Sequence, residues 1–176
     1  MEFADPERNL KQFGLTEGQI VADLGAGLGA YAISAAKMVG NSGKVYAVEV
    51  QKDLVTRVQV EAREEGVKNL EVRWGDIETL NGTKLRDRSI DVVILSNILF
   101  QVEDGNGLVK EVDRIIKHNG RVFIVDWTDS FNGLGPAPEA IIPEVDARAF
   151  FEHRGYVFEG NIKAGAHHYG FSMEKV

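Results

Sequence analysis

The stretch "VADLGAGLGAYA", residues 21–32, decides how this chain is read. A short apolar run delivers an aspartate, Asp23, and glycines follow at 25, 27 and 29 before a segment of helix formers. A strand–glycine turn–helix junction brings backbone N–H groups and the positive end of a helix up to a ligand. Three ligand classes compete for it. A triphosphate loop needs G-x-x-x-x-G-K-[ST], and no Lys-Ser or Lys-Thr follows these glycines. A dinucleotide fingerprint, G-x-G-x-x-G/A, fits Gly25, Gly27 and Ala30, with Glu49 about 20 residues on. The third reading starts from Asp23. A carboxylate beside a pyrophosphate in a partly dehydrated site is unfavourable, and a cationic ligand removes the conflict.

Outward from this junction, apolar runs alternate with helical patterns. "QIVADL" (19–24), "GKVYAVEV" (43–50), "LEVRWG" (70–75), "IDVVILS" (90–96) and "RVFIVDW" (121–127) read as five strands. The fourth is nearly continuous in apolar residues, as a strand covered on both faces should be. Between them, "YAISAAKMV" should stop near Gly40. A helix N-capped by Asp53 carries Leu54, Val58 and Ala62 toward Gly66. A third helix, over about 106–118, turns Leu108, Val112 and Ile115 inward and closes at "HNGR". Strands separated by helices predict a parallel α/β sheet with right-handed crossovers. The ending breaks the rhythm. "IPEVDARAFFEHRG" (142–155) is helical, but "YVFEGNIKA" and "HHYGFSMEKV" predict a terminal antiparallel hairpin.

Composition narrows the function classes. The 176 residues fit one domain, and 44% hydrophobic with 27% charged residues is ordinary for a globular protein. No apolar run approaches the roughly 18 residues of a membrane span, and "MEFADPERNL" lacks the apolar core of a secretory signal. The absence of cysteine removes disulfides, thiolate metal sites and cysteine nucleophiles, and fits a cytoplasmic location. A net charge of −7 argues against nucleic acid as the partner.

Asp23 and the glycines carry a resemblance. "DLGAGLG" resembles the first motif of the class I S-adenosylmethionine-dependent methyltransferases, D/E-x-G-x-G-x-G, over all seven positions. The likeness continues in register. "VYAVEV" is similar to that family's second strand, ending in acidic Glu49. "RWGDIETL" resembles the segment after its third strand, "IDVVILSNILFQV" its fourth-strand motif and "GRVFIVDW" its fifth.

The resemblance implies a doubly wound, Rossmann-like sheet of seven strands in the order 3-2-1-4-5-7-6, mostly parallel with a C-terminal antiparallel hairpin. It forms one domain over 1–176, with residues 1–17 a short helical lid. It implies S-adenosylmethionine as cofactor and S-adenosylhomocysteine as product. Gly25, Ala26, Gly27 and Gly29 then hold the ligand backbone-to-backbone, and Glu49 accepts from both ribose hydroxyls. Val50 packs on the adenine, Asp76 accepts from its exocyclic amine, and the Ile77 N–H donates to a ring nitrogen. Asp23 and the Asn97 carbonyl lie near the methionine ammonium. Plainer readings stand beside these: Glu49 as a solvated strand tip, and Asp76 as a turn aspartate.

For the methyl acceptor the sequence mainly excludes. "SNIL" after strand four departs from the [DN]-P-P-[YFW] of amino-methyltransferases acting on adenine or glutamine. Without cysteine, the covalent pyrimidine and the arsenite routes are closed. What remains resembles the small-molecule branch around the ubiquinone/menaquinone C-methyltransferases, closest in "NILFQVED" and "RVFIVDW". The chain departs from that group in its short N-terminal stretch and in lacking an insertion after strand five, so an open site is expected. Asp126 and Trp127, ending strand five, are the candidate catalytic residues: a proton acceptor and a flat aromatic wall. The alternatives are a loop-capping Asp126 and a Trp127 packed under the terminal helix. His167 and His168 are adjacent, so in a strand they point to opposite faces, and no metal site is expected. A silent cofactor-binding subunit and an NAD-dependent oxidoreductase are the competing functions. Oligomeric state and acceptor identity are left open.

Overall fold

In the computed structural model, which describes residues 4–176, the decisive stretch forms the middle of a seven-stranded sheet. Strand β1 (Ile20–Leu24) pairs in parallel with β2 (Lys44–Glu49) on one side and β4 (Ile90–Ser96) on the other. β3 (Leu70–Trp74) extends the sheet beyond β2, and β5 (Ile116–Trp127) lies beside β4. β7 (His168–Lys175) runs antiparallel to β5, and β6 (Tyr156–Asn161) antiparallel to β7. The order is β3-β2-β1-β4-β5-β7-β6, as the resemblance implied.

Alternation along the strands divides the core into two layers. Val21, Val45, Ala47, Val92, Ile94, Phe123 and Val125 face α1 (Pro6–Phe13), α2 (Ala30–Val39) and α3 (Lys52–Glu64). Ala22, Leu24, Val48, Val93, Leu95 and Ile124 face α4 (Gly105–Ile115) and α5 (Glu144–Glu152). Fully buried Leu10 and a stacked Phe13–Phe123 pair, 4.5 Å between centroids, seat α1 on the sheet. Because β1 leads outward to β2 while β4 lies on its other side, the strand order reverses at β1. The crevice at the carboxyl ends on either side of such a point is where open α/β sheets bind ligands.

Two local expectations are corrected. Gln51, not Asp53, occupies the N-cap of α3, and Asp53 sits in the first turn, where its charge favours the helix dipole. The third predicted helix ends at Ile115 rather than near 118. Ile116 already pairs with Ile90, so the chain enters β5 five residues early. Asn119, at φ +60°, and Gly120 therefore form an irregularity within the strand, where the register shifts between Ile90 and Val92.

Candidate active site

Three glycines turn the chain from β1 into α2. All three have positive φ (+73°, +54° and +81°), the left-handed region that glycine enters without steric cost. The Gly25 and Ala26 N–H groups both donate to the Val48 carbonyl, at 2.9 and 3.1 Å, tying the loop to the end of β2. A Cβ on Gly25 would lie 2.6 Å from Ile98, and one on Gly29 2.6 Å from Val58. Those two glycines serve the protein's own packing. A Cβ on Gly27 would meet nothing within 4 Å, because Gly27 faces a cavity.

That cavity, about 460 Å³, lies at the carboxyl ends of β1 to β4. Four segments line it: 25–28, 49–51, 75–78 and 96–98. Ala30, Tyr31, Leu54, Gln101, Val102 and, from the N-terminal side, Ala4 and Pro6 complete the wall. Of the residues singled out from sequence, Gly25, Ala26, Gly27, Glu49, Val50, Asp76, Ile77 and Asn97 come together here. Asp23, Gly29, Asp126 and Trp127 are not in the lining.

Glu49 is not a solvated tip. It is 5% exposed, and its carboxylate accepts from the Gly27 N–H and the Gln51 N–H, each at 2.9 Å. It braces the glycine loop while facing the cavity, and each oxygen keeps a second lone pair for a ligand hydroxyl. Asp76 is exposed at the opposite wall. Its oxygens accept from the Glu78 N–H at 2.9 Å and the Thr79 hydroxyl at 2.7 Å, so it also shapes its own turn.

Asp23 lies beneath the glycine loop at 0% exposure, on the α2 side of β1. Among the described residues no hydrogen bond reaches either carboxylate oxygen. Burial pushes its carboxyl up to about 7. The nearby Ala32 N–H offsets part of that rise, and the Glu49 charge adds to it. Asn97 is held at φ +52° by its N–H bond to the Val125 carbonyl at 2.8 Å, and its side-chain Oδ1 is likewise buried without a partner. Buried acceptors without donors are rare, and each calls for an explanation.

Asp126 directs its carboxylate to backbone N–H groups of its own strand end and of the loop after β4. It is 2% exposed and satisfied by backbone: Oδ2 accepts from the Ile98 and Leu99 N–H groups at 3.1 and 2.8 Å, and Oδ1 from Trp127 N–H at 2.8 Å. Burial still lifts its carboxyl to about 6 against those three donors. Trp127 packs on the His168 ring at 4.2 Å, and Gly135 lies so close over it that a Cβ there would come within 2.8 Å of the indole. His167 bonds Asp129 through Nδ1 at 2.5 Å and stacks on Phe131.

Sequence reasoning missed several wall residues. Tyr31 accepts a hydrogen bond at 2.9 Å from Asn9 Nδ2, which also donates to the Ala164 carbonyl at 3.0 Å. This fully buried asparagine fixes α1 beside the cavity. The predicted lid, 1–17, thus contributes Ala4 and Pro6 to the wall, while residues 1–3 of it lie outside the described residues. Glu78 bridges two loops by accepting from the Glu103 and Asp104 N–H groups at 2.9 and 2.5 Å. No motif announces Glu78 or Asn9; for Tyr31 the signal was its place directly after the glycines.

Comparison with known proteins agrees with this geometry. Residues 15–150 match the model of a family described as "Methyltransferase domain". An aklanonic acid methyltransferase from Streptomyces is 30% identical over 139 residues, 77% of this chain and 60% of that protein. A demethylmenaquinone methyltransferase from Lactobacillus johnsonii is 28% identical over 125 residues, 70% of this chain and 50% of that one. The chain therefore spans only about half to three-fifths of the length of these curated relatives. The crystal structure of a SAM-dependent methyltransferase from Aquifex aeolicus superposes with a TM-score of 0.89 at 30% identity, covering 99% of this chain and 91% of that one. With the motif, the strand order and the cavity in agreement, the chain belongs to the S-adenosylmethionine-dependent methyltransferase family.

Proposed function

We propose that this protein transfers a methyl group from S-adenosylmethionine to a small organic acceptor. The observation that carries the reading is the fully buried Asp23 carboxylate, without hydrogen bonds among the described residues, under a glycine loop that opens onto a cavity. An ammonium-bearing ligand supplies the missing counter-charge; a pyrophosphate would add to the repulsion. This disfavours the oxidoreductase reading. The sulfonium supplies an activated methyl group, so the protein's work is chiefly to hold two reactants in line.

In this reading Glu49 accepts from the ribose hydroxyls through the lone pairs left by Gly27 and Gln51. Val50, exposed at the cavity mouth, lies against the adenine, and Asp76 and the Ile77 N–H meet its polar edge. Gly25, Ala26, Gly27 and Gly29 shape the loop over which the ligand runs, Gly27 giving the closest approach. Asn97, in the wall, takes the methionine ammonium, with Asp23 beneath the loop as its counter-charge. The acceptor meets the methyl from the side of α1 and β5, near Trp127. The relatives named for aklanonic acid and demethylmenaquinone make compounds related to those two the first acceptors to try.

The test has two stages. Titration calorimetry with S-adenosylhomocysteine and, separately, NADH should give binding only with the former; binding of NADH alone would overturn the proposal. Transfer of label from methyl-labelled cofactor to compounds of the class above should then separate an enzyme from a silent binder.

A further inference from the structure

One segment, 97–104, supplies Asn97, Ile98, Gln101 and Val102 to the cavity wall, and a carboxylate grips it at each end. At its start, Asp126 takes the Ile98 and Leu99 N–H groups on one oxygen and the Trp127 N–H on the other. At its far end, Glu78 takes the N–H groups of Glu103 and Asp104. Glu78 itself stands on the loop after β3, which forms the opposite wall. Between the two grips the segment makes only a short 3-10 turn, Leu99–Gln101, and Asn97 enters it in the left-handed region. A single turn has few bonds of its own to fix its position.

We propose that Asp126 is a positioning residue for the cofactor, acting through this strap with Glu78 as its counterpart, and that it takes no proton from the acceptor. The inference rests on the cofactor reading above. Its chemistry follows from counting donors. Three backbone N–H groups converge on two carboxylate oxygens, so the residue must be an acceptor on both sides. An asparagine there has one acceptor oxygen. Its amide nitrogen would face either the Trp127 N–H or the Ile98–Leu99 pair, donor against donor. The substitution therefore frees one end of the strap while keeping size and shape. The same count explains why Asp126 is absent from the cavity lining although it ends the central fifth strand: its carboxylate is turned to the neighbouring loop.

The experiment is titration of S-adenosylhomocysteine into wild type, D126N and E78A at a temperature well below unfolding, with amide hydrogen exchange at Ile98, Leu99, Glu103 and Asp104. Alanine is needed at 78 because a single oxygen of Glu78 takes both N–H groups, which a glutamine would keep. D126N should weaken binding at least tenfold and speed exchange at both amides. E78A, at the opposite end, should weaken binding several-fold and speed exchange at Glu103 and Asp104. The double variant should lose less than the product of the two, because both release the same strap. A merely structural Asp126 would lower the unfolding temperature and leave the dissociation constant alone. A folded D126N that binds like wild type overturns the proposal. If D126N does not fold, E78A decides: unchanged binding there overturns it as well. Once an acceptor is known, D126N should raise the cofactor's KM more than it lowers kcat, and the reverse would make Asp126 a proton acceptor. Failure of the wild type to bind S-adenosylhomocysteine would fall on the cofactor reading, a result distinct from any of these.

Discussion

Replacing Asp23 by asparagine should flatten the pH dependence of stability in the ligand-free protein. In the fold this carboxyl titrates near 7, against 3.8 for an ordinary aspartate, because burial disfavours its charge. Between those values the folded state holds a proton that the unfolded chain has released, so stability falls as pH rises through the window. At about 1.4 kcal/mol per tenfold, the full cost above pH 7 is about 4 kcal/mol, of which about 1–1.5 kcal/mol develops between pH 6 and 8. For a chain of this length that is roughly 3–5 °C in unfolding temperature. Other groups titrate nearby. Asp126, raised to about 6, adds the same sign at lower pH. His168, whose burial holds its pKa below the ordinary histidine value, opposes it. The difference between wild type and D23N cancels both. Thermal melts without ligand at pH 6, 7 and 8 should therefore show the two curves diverging with pH, D23N the more stable at pH 8. Its gain there stays below about 4 kcal/mol, because a buried amide without partners costs about 1–3 kcal/mol itself. The same variant should bind S-adenosylhomocysteine more weakly while binding adenosine nearly as well as wild type. Parallel melting curves would refute the electrostatic account; equal losses for both ligands would mean that residue 23 acts through loop shape.

Glu49→Gln should weaken S-adenosylhomocysteine by about 2–3 kcal/mol in calorimetry, through lost charge-assisted bonds to the ribose and a loosened Gly27; an unchanged constant removes Glu49 from the site. Gly27→Ala should fold, at about 1 kcal/mol for its left-handed φ, yet lose most cofactor affinity because its methyl enters the cavity. Gly25→Ala should instead lower the unfolding temperature sharply, since its Cβ collides with Ile98. Trp127→Ala should raise the KM of an acceptor, once found, with the cofactor's KM unchanged; the opposite pattern would move the acceptor site away from β5.

How far the sequence leads depends on whether a feature is local. The strands were legible because a sheet covered on both faces demands apolar runs, and Ile90–Ser96 is one such run buried almost throughout. The glycine loop was legible because positive φ leaves a compositional mark. The end of α4 was not. Ile115 and Ile116 look alike in a helical pattern, and only the pairing of Ile116 with Ile90 makes the second a strand residue. Asp126 shows the limit at the site. Alternation places it on the face of Val122 and Ile124, opposite Tyr169 on β7. What turns its carboxylate from the cavity to the neighbouring loop is the set of N–H groups at 98 and 99, almost thirty positions earlier. Glu78 and Asn9 escaped for the same reason: their partners are backbone groups of distant segments, which leave no pattern in the chain.

Asp23 and Asp126 make an instructive pair, since both are buried strand-end aspartates pushed upward by desolvation. One has three backbone donors; the other makes no hydrogen bond among the described residues, and the nearby Ala32 N–H offsets only part of its burial. The fold has answered part of the charge of Asp126 from within. For Asp23 it has not, and with total stabilities of about 5–15 kcal/mol an uncompensated cost of about 4 kcal/mol is a large fraction to carry. A chain built only to fold would do better with an apolar residue at 23, flanked as it is by Ala22 and Leu24 and paired with Ala47 and Ile94. The position makes physical sense if the donor arrives with a ligand, and it must then be a cation. Stabilisation by ligand should accordingly be larger at pH 8 than at pH 6, where a protonated Asp23 has less to gain. That ordering, read from melts with and without S-adenosylhomocysteine, ties the cofactor to this one carboxylate, and a ligand-induced shift that is equal at both pH values would break the tie.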